Sequence, residues 1–283
     1  MQPILITGGR GMLGRAFARL CGERYLAFEA TARGELDIAD AAAVSAALGR
    51  LRPWLVINAA GYAAVDAAED DAERCRRDNI AGAETLARAC ARARVDLVTF
   101  SSDLVFDGAK RAPYEEADAP APLGVYGRSK HEAERRVLDA HPDALVVRTG
   151  ACFGPWDPHD FVQRSLRALA AGREVRAAGD LTVSPTYVPD LVHACLDLAI
   201  DRARGVWHLA NTGATTWAGL ARAAAILAGY AGDCVADVPA SSLRWRARRP
   251  VFSALGSARG ALLPPWEHAL RRHHEARLEE VGR

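Results

Sequence analysis

The chain has 283 residues, of which 50% are hydrophobic and 25% charged, and its 36 basic and 35 acidic residues nearly cancel. This composition is typical of a globular protein with a sizeable core, and the near-neutral balance gives no support to a nucleic-acid or membrane-surface partner. The six cysteines are scattered singly with no C-x-x-C pair, which argues against a disulfide framework.

The sequence also bears on compartment and metals. The first residues lead directly into an apolar run without a basic or hydrophobic leader, and no apolar stretch is long enough to span a bilayer. We therefore expect a cytoplasmic protein. No His, Cys and acidic cluster has metal-ligand spacing, and the adjacent His273 and His274 point to different helix faces, so we expect no metal and a solvated C-terminal helix.

The N-terminal half alternates short apolar runs with longer segments rich in Ala, Leu and Arg. The runs predict strands at 4–7, 25–30, 55–58, 97–101 and 145–148, and the segments predict helices at 12–20, 41–51, 73–93 and 129–138. Near-continuous apolar strands that alternate with helices predict an α/β fold, a doubly wound parallel sheet of Rossmann type.

The pattern loosens after residue 150. It predicts helices near 161–170, 191–200 and 216–228, a strand near 206–210 and an Arg-rich helix from 264 to the end. We expect a dinucleotide-binding domain at 1–150, with return segments around 180–210, and a smaller, mixed and interleaved substrate-binding domain at 151–283. The basic run 244–249 is interpreted as a solvated face rather than an anion site.

A glycine-rich turn follows the first predicted strand and opens the first helix. Its residues are Gly8, Arg10, Gly11, Met12, Leu13 and Gly14, in which the glycines are spaced G-x-x-G-x-x-G. Such a turn lets the backbone approach a pyrophosphate, and the helix N-terminus offers free N–H groups. The turn therefore predicts a dinucleotide site, and its spacing resembles that of extended short-chain dehydrogenase/reductases.

The choice of nicotinamide cofactor depends on the residues after the second strand. Arg10 and Arg33 favour the 2′-phosphate of NADPH, whereas Glu29 in that strand would favour the free ribose of NADH. We favour NADPH and keep NADH as the alternative. Asp37 and Ile38 suit the adenine, as a carboxylate near its amine and an apolar face beside the ring, although Asp37 also suits a helix cap.

The strongest chemical pattern joins two segments. Tyr126 and Lys130 stand one helical turn apart, and a nearby ammonium makes a phenol a better acid. Ser102 lies upstream, at the carboxyl end of a predicted strand, which is where the ligand crevice of an open α/β sheet lies. These three residues predict carbonyl reduction, with Ser102 bound to the substrate oxygen and Tyr126 as proton donor.

Over nearly its whole length the chain resembles the dTDP-4-dehydrorhamnose reductase family of extended short-chain reductases. The similar segments are 52–62, 65–66, 68–69, 101–108, 113–114, 125–130 and 184–187. The resemblance implies Ser102, Tyr126 and Lys130 as the catalytic residues, with the last two also contacting the cofactor. It further implies two sets of binding residues: Ala59, Ala60 and Tyr62 along the cofactor, and Val65, Asp66 and Asp103 near the sugar. The role that it implies for Asn79 is structural.

The resemblance also implies the reaction. The family reduces the 4-keto group of a sugar carried on a thymidine nucleotide, so dTDP-4-dehydrorhamnose would become dTDP-rhamnose as C4 receives the hydride. An epimerase or dehydratase of the same fold, and a non-catalytic NADP-binding regulatory subunit, remain as alternatives. A homodimer is left open.

The chain departs from the family pattern around the sugar. Ser102 replaces a Thr, Leu104 a Tyr and Ala151 a Trp, and Asp160 stands where an Asn is usual. Two aromatic walls are thereby lost, which removes stacking area. We expect Trp156 to refill the space, and Asp160 to alter the nucleotide end if it faces a phosphate.

Overall fold

A parallel sheet of six strands forms the centre of the structure, a computed structural model that describes residues 2–260 and 263–281. The N-terminal elements are, in chain order, β1 (Ile4–Thr7), α1 (Met12–Glu23), β2 (Phe28–Thr31), α2 (Ala41–Leu51), β3 (Leu55–Asn58), α3 (Ala72–Arg76), α4 (Gly82–Ala93), β4 (Asp96–Ser102), α5 (Val125–Ala140) and β5 (Leu145–Thr149).

The C-terminal half adds short strands and four helices to this framework. They are β6 (Cys152–Phe153), α6 (Phe161–Ala170), β7 (Val175–Ala178), β8 (Thr182–Val183), β9 (Thr186–Tyr187), α7 (Val188–Ile200), β10 (Gly205–His208), β11 (Asn211–Thr212), β12 (Thr215–Thr216), α8 (Trp217–Leu227), β13 (Val235–Val238), β14 (Leu263–Pro265) and α9 (Trp266–Val281). The main sheet has the order β10-β5-β4-β3-β1-β2, so β10 returns to it beside β5.

Alternate residues of the central strands supply two hydrophobic layers. In β1, Ile4 and Ile6 pack against a cluster built from α1 and α7, whereas Leu5 faces a cluster on the other side of the sheet, built from α2, α4 and α5. All four β1 residues are buried. Each large apolar side chain removed from water in this way stabilises the fold by about 1.5–3 kcal/mol, so the central strands are fixed by both layers. The predicted doubly wound parallel fold is confirmed.

A third cluster lies in the C-terminal half. It joins α6, α8 and α9 around Phe153 and Tyr187, two residues of the paired strands β6 and β9. His273 of α9 is 1% exposed and its ring meets Phe153 edge-on at 5.6 Å. The expectation of a solvated C-terminal helix is therefore wrong at His273, because this face of α9 covers the third cluster.

Several predicted elements differ from the structure; among them, the helix predicted from 191 begins at Val188 and the one predicted from 264 begins at Trp266. The strand predicted from residue 25 begins at Phe28, because Tyr25 has a left-handed backbone (φ 55°) and a side chain that is 93% exposed. The helix predicted over 73–93 contains a π-helical turn at Arg77–Ala81. The helix predicted from 129 begins at Val125 and so includes the tyrosine of the predicted active site. Residues 282 and 283 of the predicted last helix lie outside the described residues.

The fold gathers the ends of the central strands at one edge. The glycine turn follows β1, Ala59 and Ala60 follow β3, and Ser102 is the last residue of β4. In the described part of the chain no helix has the length and apolar character needed to cross a membrane, and no three His, Cys, Asp or Glu side chains are grouped to hold a metal.

Candidate active site

A cavity of about 620 Å³ runs along the carboxyl ends of β1, β3, β4 and β5. The predicted site residues in its walls are Gly11, Met12, Leu13, Ala59, Ala60, Tyr62, Val65, Ser102, Asp103, Tyr126 and Lys130. The glycine turn and the predicted catalytic residues, which are more than 80 positions apart in the sequence, thus open onto one cavity.

A second cavity of about 190 Å³ adjoins the first at Gly11, Ala59 and Ala60. The remaining predicted residues that line it are Gly8, Arg33, Asp37 and Ile38. The two adjacent cavities together extend from the predicted adenine residues to Tyr126. This elongated shape fits a dinucleotide whose pyrophosphate crosses the glycine turn.

The turn is tight enough to require glycine. Gly8 has φ 70°, and a Cβ there would lie 2.5 Å from the carbonyl oxygen of Ala59. A Cβ at Gly14 would meet the carbonyl of Gly8, so Gly14 lets α1 pack on the turn and does not line either cavity. Gly11 precedes α1 and provides no side-chain cap. The first amides of α1 are therefore available to an anion.

Charged side chains surround the second cavity. Arg33 forms an ion pair with the buried Asp78, and Arg77 lies 2.5 Å from Asp37. The hydrogen bond from Arg77 is the largest of the effects that hold the pKa of Asp37 below its usual value. Asp37 lines the second cavity and accepts from the amide of Ala39 in the turn before α2. The cap of α2 is Asp40, which accepts from the amides of Ala42 and Ala43, so the expected helix-cap role of Asp37 is wrong.

The other two charged residues considered for the cofactor lie outside the cavities. Arg10 is exposed, at 3.7 Å from Glu35. Glu29 of β2 forms an ion pair with Arg50 of α2 at 2.8 Å, on the edge of the sheet. The carboxylate that would have favoured NADH is thus paired at the sheet edge, and Arg33 is the cationic residue in the described walls of the second cavity.

Ser102, Tyr126 and Lys130 meet where β4 ends against α5. The Ser102 hydroxyl accepts from the amide of Leu104 at 3.1 Å and stands 3.0 Å from a carboxyl oxygen of Asp103. Lys130 donates to the carbonyl of Phe100 at 3.1 Å. The first turn of α5 is held by Glu69, whose carboxylate accepts from the amide of Val125 at 2.7 Å.

Burial controls the acidity of these groups. It raises the pKa of the Tyr126 phenol, and the nearby Asp103 carboxyl adds to the rise while the Ser102 hydroxyl opposes it. It lowers the pKa of Lys130 to about 8, since a buried ammonium loses its hydration. The phenol is therefore protonated at neutral pH, and the lysine titrates close to that range.

The side chain of Asn79 makes hydrogen bonds that fit the structural role expected for it. Its side-chain carbonyl accepts from the amide of Tyr62 at 2.7 Å, and its amide donates to Ser129 of α5 at 2.9 Å. The loop after β3 is thereby joined to the helix that carries Tyr126 and Lys130.

The basic run is not a uniformly solvated face. Arg249 lines the main cavity with a side chain that is only 17% exposed, and its guanidinium donates to both carboxyl oxygens of Asp66 at 3.0 and 3.1 Å. Asp66 also accepts from the amides of Arg246 and Ala247. Asp66, predicted near the sugar, does not itself line the cavity, because it anchors the segment that places Arg249 there.

The aromatic wall also differs from the expectation. Trp156 does not line the cavity; it packs on the core beneath α1, with the Arg19 guanidinium 5.1 Å from its ring. Trp217, the first residue of α8, lines the cavity together with Leu181. The expectation that Trp156 refills the space is therefore wrong, and Trp217 is the aromatic residue that the structure supplies.

The departures from the family pattern occupy two different places. Leu104 and Ala151 both line the cavity, and Ala151 has a left-handed backbone (φ 44°). Asp160 instead caps α6 by accepting from the amide of Gln163 at 2.9 Å, and its burial raises its pKa to about 6. Its carboxylate is committed to the helix and does not face the cavity.

Several cavity residues were not predicted from the sequence. Those beyond residue 151, apart from Arg249, are Asp157, Leu181, Val183, Trp217, Pro250 and Ser253, together with Cys152, which was expected to be an ordinary buried residue. Only the basic run carried a recognisable signal, through Arg249. The others come from short strands, from loops and from the start of α8, and nothing in the neighbouring sequence indicates that these segments return to the sheet edge.

Comparisons with known proteins agree with this geometry. Residues 1–277 match the family model described as RmlD substrate binding domain. A dTDP-4-dehydrorhamnose reductase of Streptomyces griseus is 36% identical, covering 99% of this chain and 95% of the relative. One from Mycobacterium tuberculosis is 39% identical, covering 94% and 90%. The crystal structure of a Bacillus anthracis dTDP-4-dehydrorhamnose reductase in complex with NADP superimposes with a TM-score of 0.92 at 29% identity, over 96% of this chain and 98% of that one.

Proposed function

The chain belongs to the RmlD substrate-binding-domain family of dTDP-4-dehydrorhamnose reductases, and we propose that it reduces the 4-keto group of dTDP-4-dehydrorhamnose with NADPH to give dTDP-rhamnose. The observation that carries the proposal is the shared cavity in which Ser102, Tyr126 and Lys130 face the path from the glycine turn. A non-catalytic regulatory subunit would have no need of all three.

The residues present fit NADPH. The uncapped amides of α1 suit its pyrophosphate, and the cavity at Asp37 and Ile38 suits its adenine. Arg33 lies on the wall of that cavity, where its guanidinium suits the 2′-phosphate. Lys130, on the wall of the main cavity, suits the nicotinamide ribose. When bound, the cofactor supplies the hydride that C4 of the sugar receives.

Tyr126 provides the proton for the same carbonyl group. As C4 is reduced, negative charge develops on its oxygen, and the phenol transfers its proton to that oxygen to leave a hydroxyl and a phenolate. The charged form of Lys130 stabilises the phenolate, and Ser102 is placed to hydrogen-bond the substrate oxygen. A proton from solvent then restores Tyr126.

The remaining walls suit the other parts of a sugar nucleotide. Lys130 and Arg249 are the two cationic side chains in the described walls of the main cavity, and Lys130 is placed at the reaction centre. We assign Arg249 to the diphosphate of the substrate. Trp217 and Leu181 offer apolar area that can pack against the substrate.

Three further expectations from the sequence stay predictions: a domain division near residue 150, a cytoplasmic location and a homodimer.

One experiment separates this proposal from its alternatives. Purified protein is mixed with dTDP-4-dehydrorhamnose and NADPH, and the loss of cofactor absorbance is compared with the amount of dTDP-rhamnose formed. The proposal expects one cofactor oxidised per product, and a fall of about 10²–10⁴-fold in kcat for Tyr126→Phe. Tyr25→Phe, a matched change at a 93% exposed tyrosine, is expected to leave the rate unchanged.

The other outcomes each exclude the proposal. A sugar product without net cofactor oxidation indicates an epimerase or dehydratase. Binding of the sugar nucleotide and NADPH without turnover indicates a regulatory subunit.

A further inference from the structure

Asp103 is a buried carboxyl group without a cationic partner. It is 6% exposed, and no Lys, Arg or His of the described residues lies within ion-pair distance of it. Its hydrogen-bonding neighbours are two hydroxyls and two backbone amides. Ser253 donates to one carboxyl oxygen at 2.6 Å, the hydroxyl of Ser102 lies 3.0 Å from the other, and the amides of Asp103 and Leu104 also face the carboxyl group. A charged carboxylate in such a place is costly unless it is paired.

The protonation state of Asp103 decides whether the Ser102 hydroxyl can donate a hydrogen bond to the substrate. A serine hydroxyl has one hydrogen to donate and two lone pairs that accept. One lone pair of Ser102 takes the amide of Leu104. If Asp103 is a carboxylate, Ser102 must give its hydrogen to Asp103 and has none for the substrate. If Asp103 is a neutral acid, it donates into the second lone pair, and the Ser102 hydrogen is free to point into the cavity.

We propose that Asp103 is a positioning residue that stays a neutral acid, donates to Ser102, and so turns the Ser102 hydroxyl toward the carbonyl oxygen of the substrate. This inference rests on the proposed reduction. It makes a chain of donors from Asp103 through Ser102 to the oxygen on which charge develops, where an oriented donor has its largest effect. A carboxylic acid kept neutral by an apolar site in order to donate a hydrogen bond has a precedent in enzymes.

The surroundings of Asp103 favour the neutral form. Burial raises the pKa of Asp103 and outweighs the hydroxyls of Ser253 and Ser102 and the backbone amides of Asp103 and Leu104, which all oppose the rise. The titratable groups that face it are Tyr126 of α5 and Cys152 of β6, both neutral at pH 7 since burial raises the pKa of each. A charge on Asp103 would also oppose the phenolate that Tyr126 must form. The other charged groups in the described cavity walls are Lys130, Asp157 and Arg249.

An infrared measurement tests the neutral acid without substrate or cofactor. At neutral pH the wild type is expected to show the C=O stretch of a protonated carboxyl that Asp103→Asn lacks. Asp139→Asn, a change at an exposed carboxylate on α5, is the matched control and is expected to keep the band. A wild-type spectrum identical to that of Asp103→Asn overturns the proposal.

Kinetics test the directing role. Asp103→Asn keeps an N–H donor beside Ser102, so we expect it to retain kcat within about tenfold, whereas Asp103→Ala loses about 100-fold in kcat with little change in KM. Equal loss of kcat in the two variants overturns the role. A wild type inert toward dTDP-4-dehydrorhamnose, with the infrared band present, refutes the proposed substrate and not the neutral acid.

Discussion

The ammonium nitrogen of Lys130 lies 5.7 Å from the centre of the Tyr126 ring, one turn along the same helix. Both side chains are half-buried in the wall of the main cavity, where charges interact more strongly than in open solvent because less water screens them. The phenol is a poor acid in this place, since burial raises its pKa. Its use as a proton donor therefore depends on whether the lysine beside it carries a charge.

This dependence predicts a basic limit to the reaction. Burial lowers the pKa of Lys130 from 10.5 to about 8, so the ammonium is charged below about pH 8 and neutral above it. We expect kcat/KM for the ketone to fall as pH rises through about 8. Lys130→Arg, which stays charged over the whole range, should move this limit out of the measured range even if its rate is lower.

The pH profile of kcat/KM with saturating NADPH is the measurement. Lys110→Arg is the matched control, because Lys110 is the only other lysine of the sequence and is paired with Asp118 outside the cavities. A limit near pH 8 that persists in Lys130→Arg would mean that another group titrates there.

Cofactor selectivity is predicted to depend on Arg33. This guanidinium lines the second cavity and is oriented by its ion pair with Asp78. A charge-assisted contact with a 2′-phosphate contributes about 1.5–3 kcal/mol, so Arg33→Ala should raise the KM for NADPH about tenfold or more. The KM for NADH should change little. Arg50→Ala, which removes the partner of Glu29 at the sheet edge, is the control. An equal effect on both cofactors would contradict the assignment.

The cofactor half of the site was predictable because its signals are local. The glycine turn, the end of β4 and the Tyr126–Lys130 spacing each lie within a few residues, and the parallel sheet places them at one edge. The substrate half is built by segments that are far apart in the sequence and meet only in the folded chain. The sequence around Trp217 gives no indication that this residue lines the cavity. Trp156 was predicted instead, because it lies only five residues after Ala151, but it packs on the core.

The ion pair between Arg249 and Asp66 was likewise not predictable from the sequence. The basic run 244–249 has the composition of a solvated face, and Arg246 is indeed exposed and paired with Asp70. Arg249 differs only because Asp66, more than 180 positions earlier, draws it into the cavity wall. Periodicity and composition carry no information on such a pair, so the sequence placed Arg249 on a solvated face.

Arg249 is predicted to determine affinity for the sugar nucleotide. Loss of a guanidinium that binds a diphosphate removes about 1.5–3 kcal/mol, so Arg249→Ala should raise the KM for the sugar nucleotide by about 10- to 100-fold and lower kcat much less. Inhibition by dTDP, which keeps the diphosphate, should weaken by a similar factor. Arg246→Ala, from the same basic run, is the control. An unchanged inhibition constant for dTDP would remove Arg249 from the diphosphate site.

Acid stability is predicted to depend on His273, which lines neither cavity. Its ring is buried against Phe153 and Tyr187, and neither ring nitrogen has a hydrogen-bond partner among the described residues. Burial lowers its pKa from 6.5 to about 4, with a smaller contribution from the charge of Arg277. The folded protein therefore keeps His273 neutral over a range in which the unfolded chain takes up a proton.

The sign of the effect follows from that difference. A folded-state pKa below the unfolded value gives stability that is complete above about pH 6.5 and is lost as pH falls toward 4. The loss is about 3 kcal/mol for a shift of this size. Urea unfolding of His273→Phe between pH 7 and 4 should show a shallower decline in the free energy of unfolding than the wild type. His268→Gln, an exposed site on the same helix, should follow the wild type. Parallel declines in His273→Phe and the wild type would show that the acid sensitivity arises from other groups.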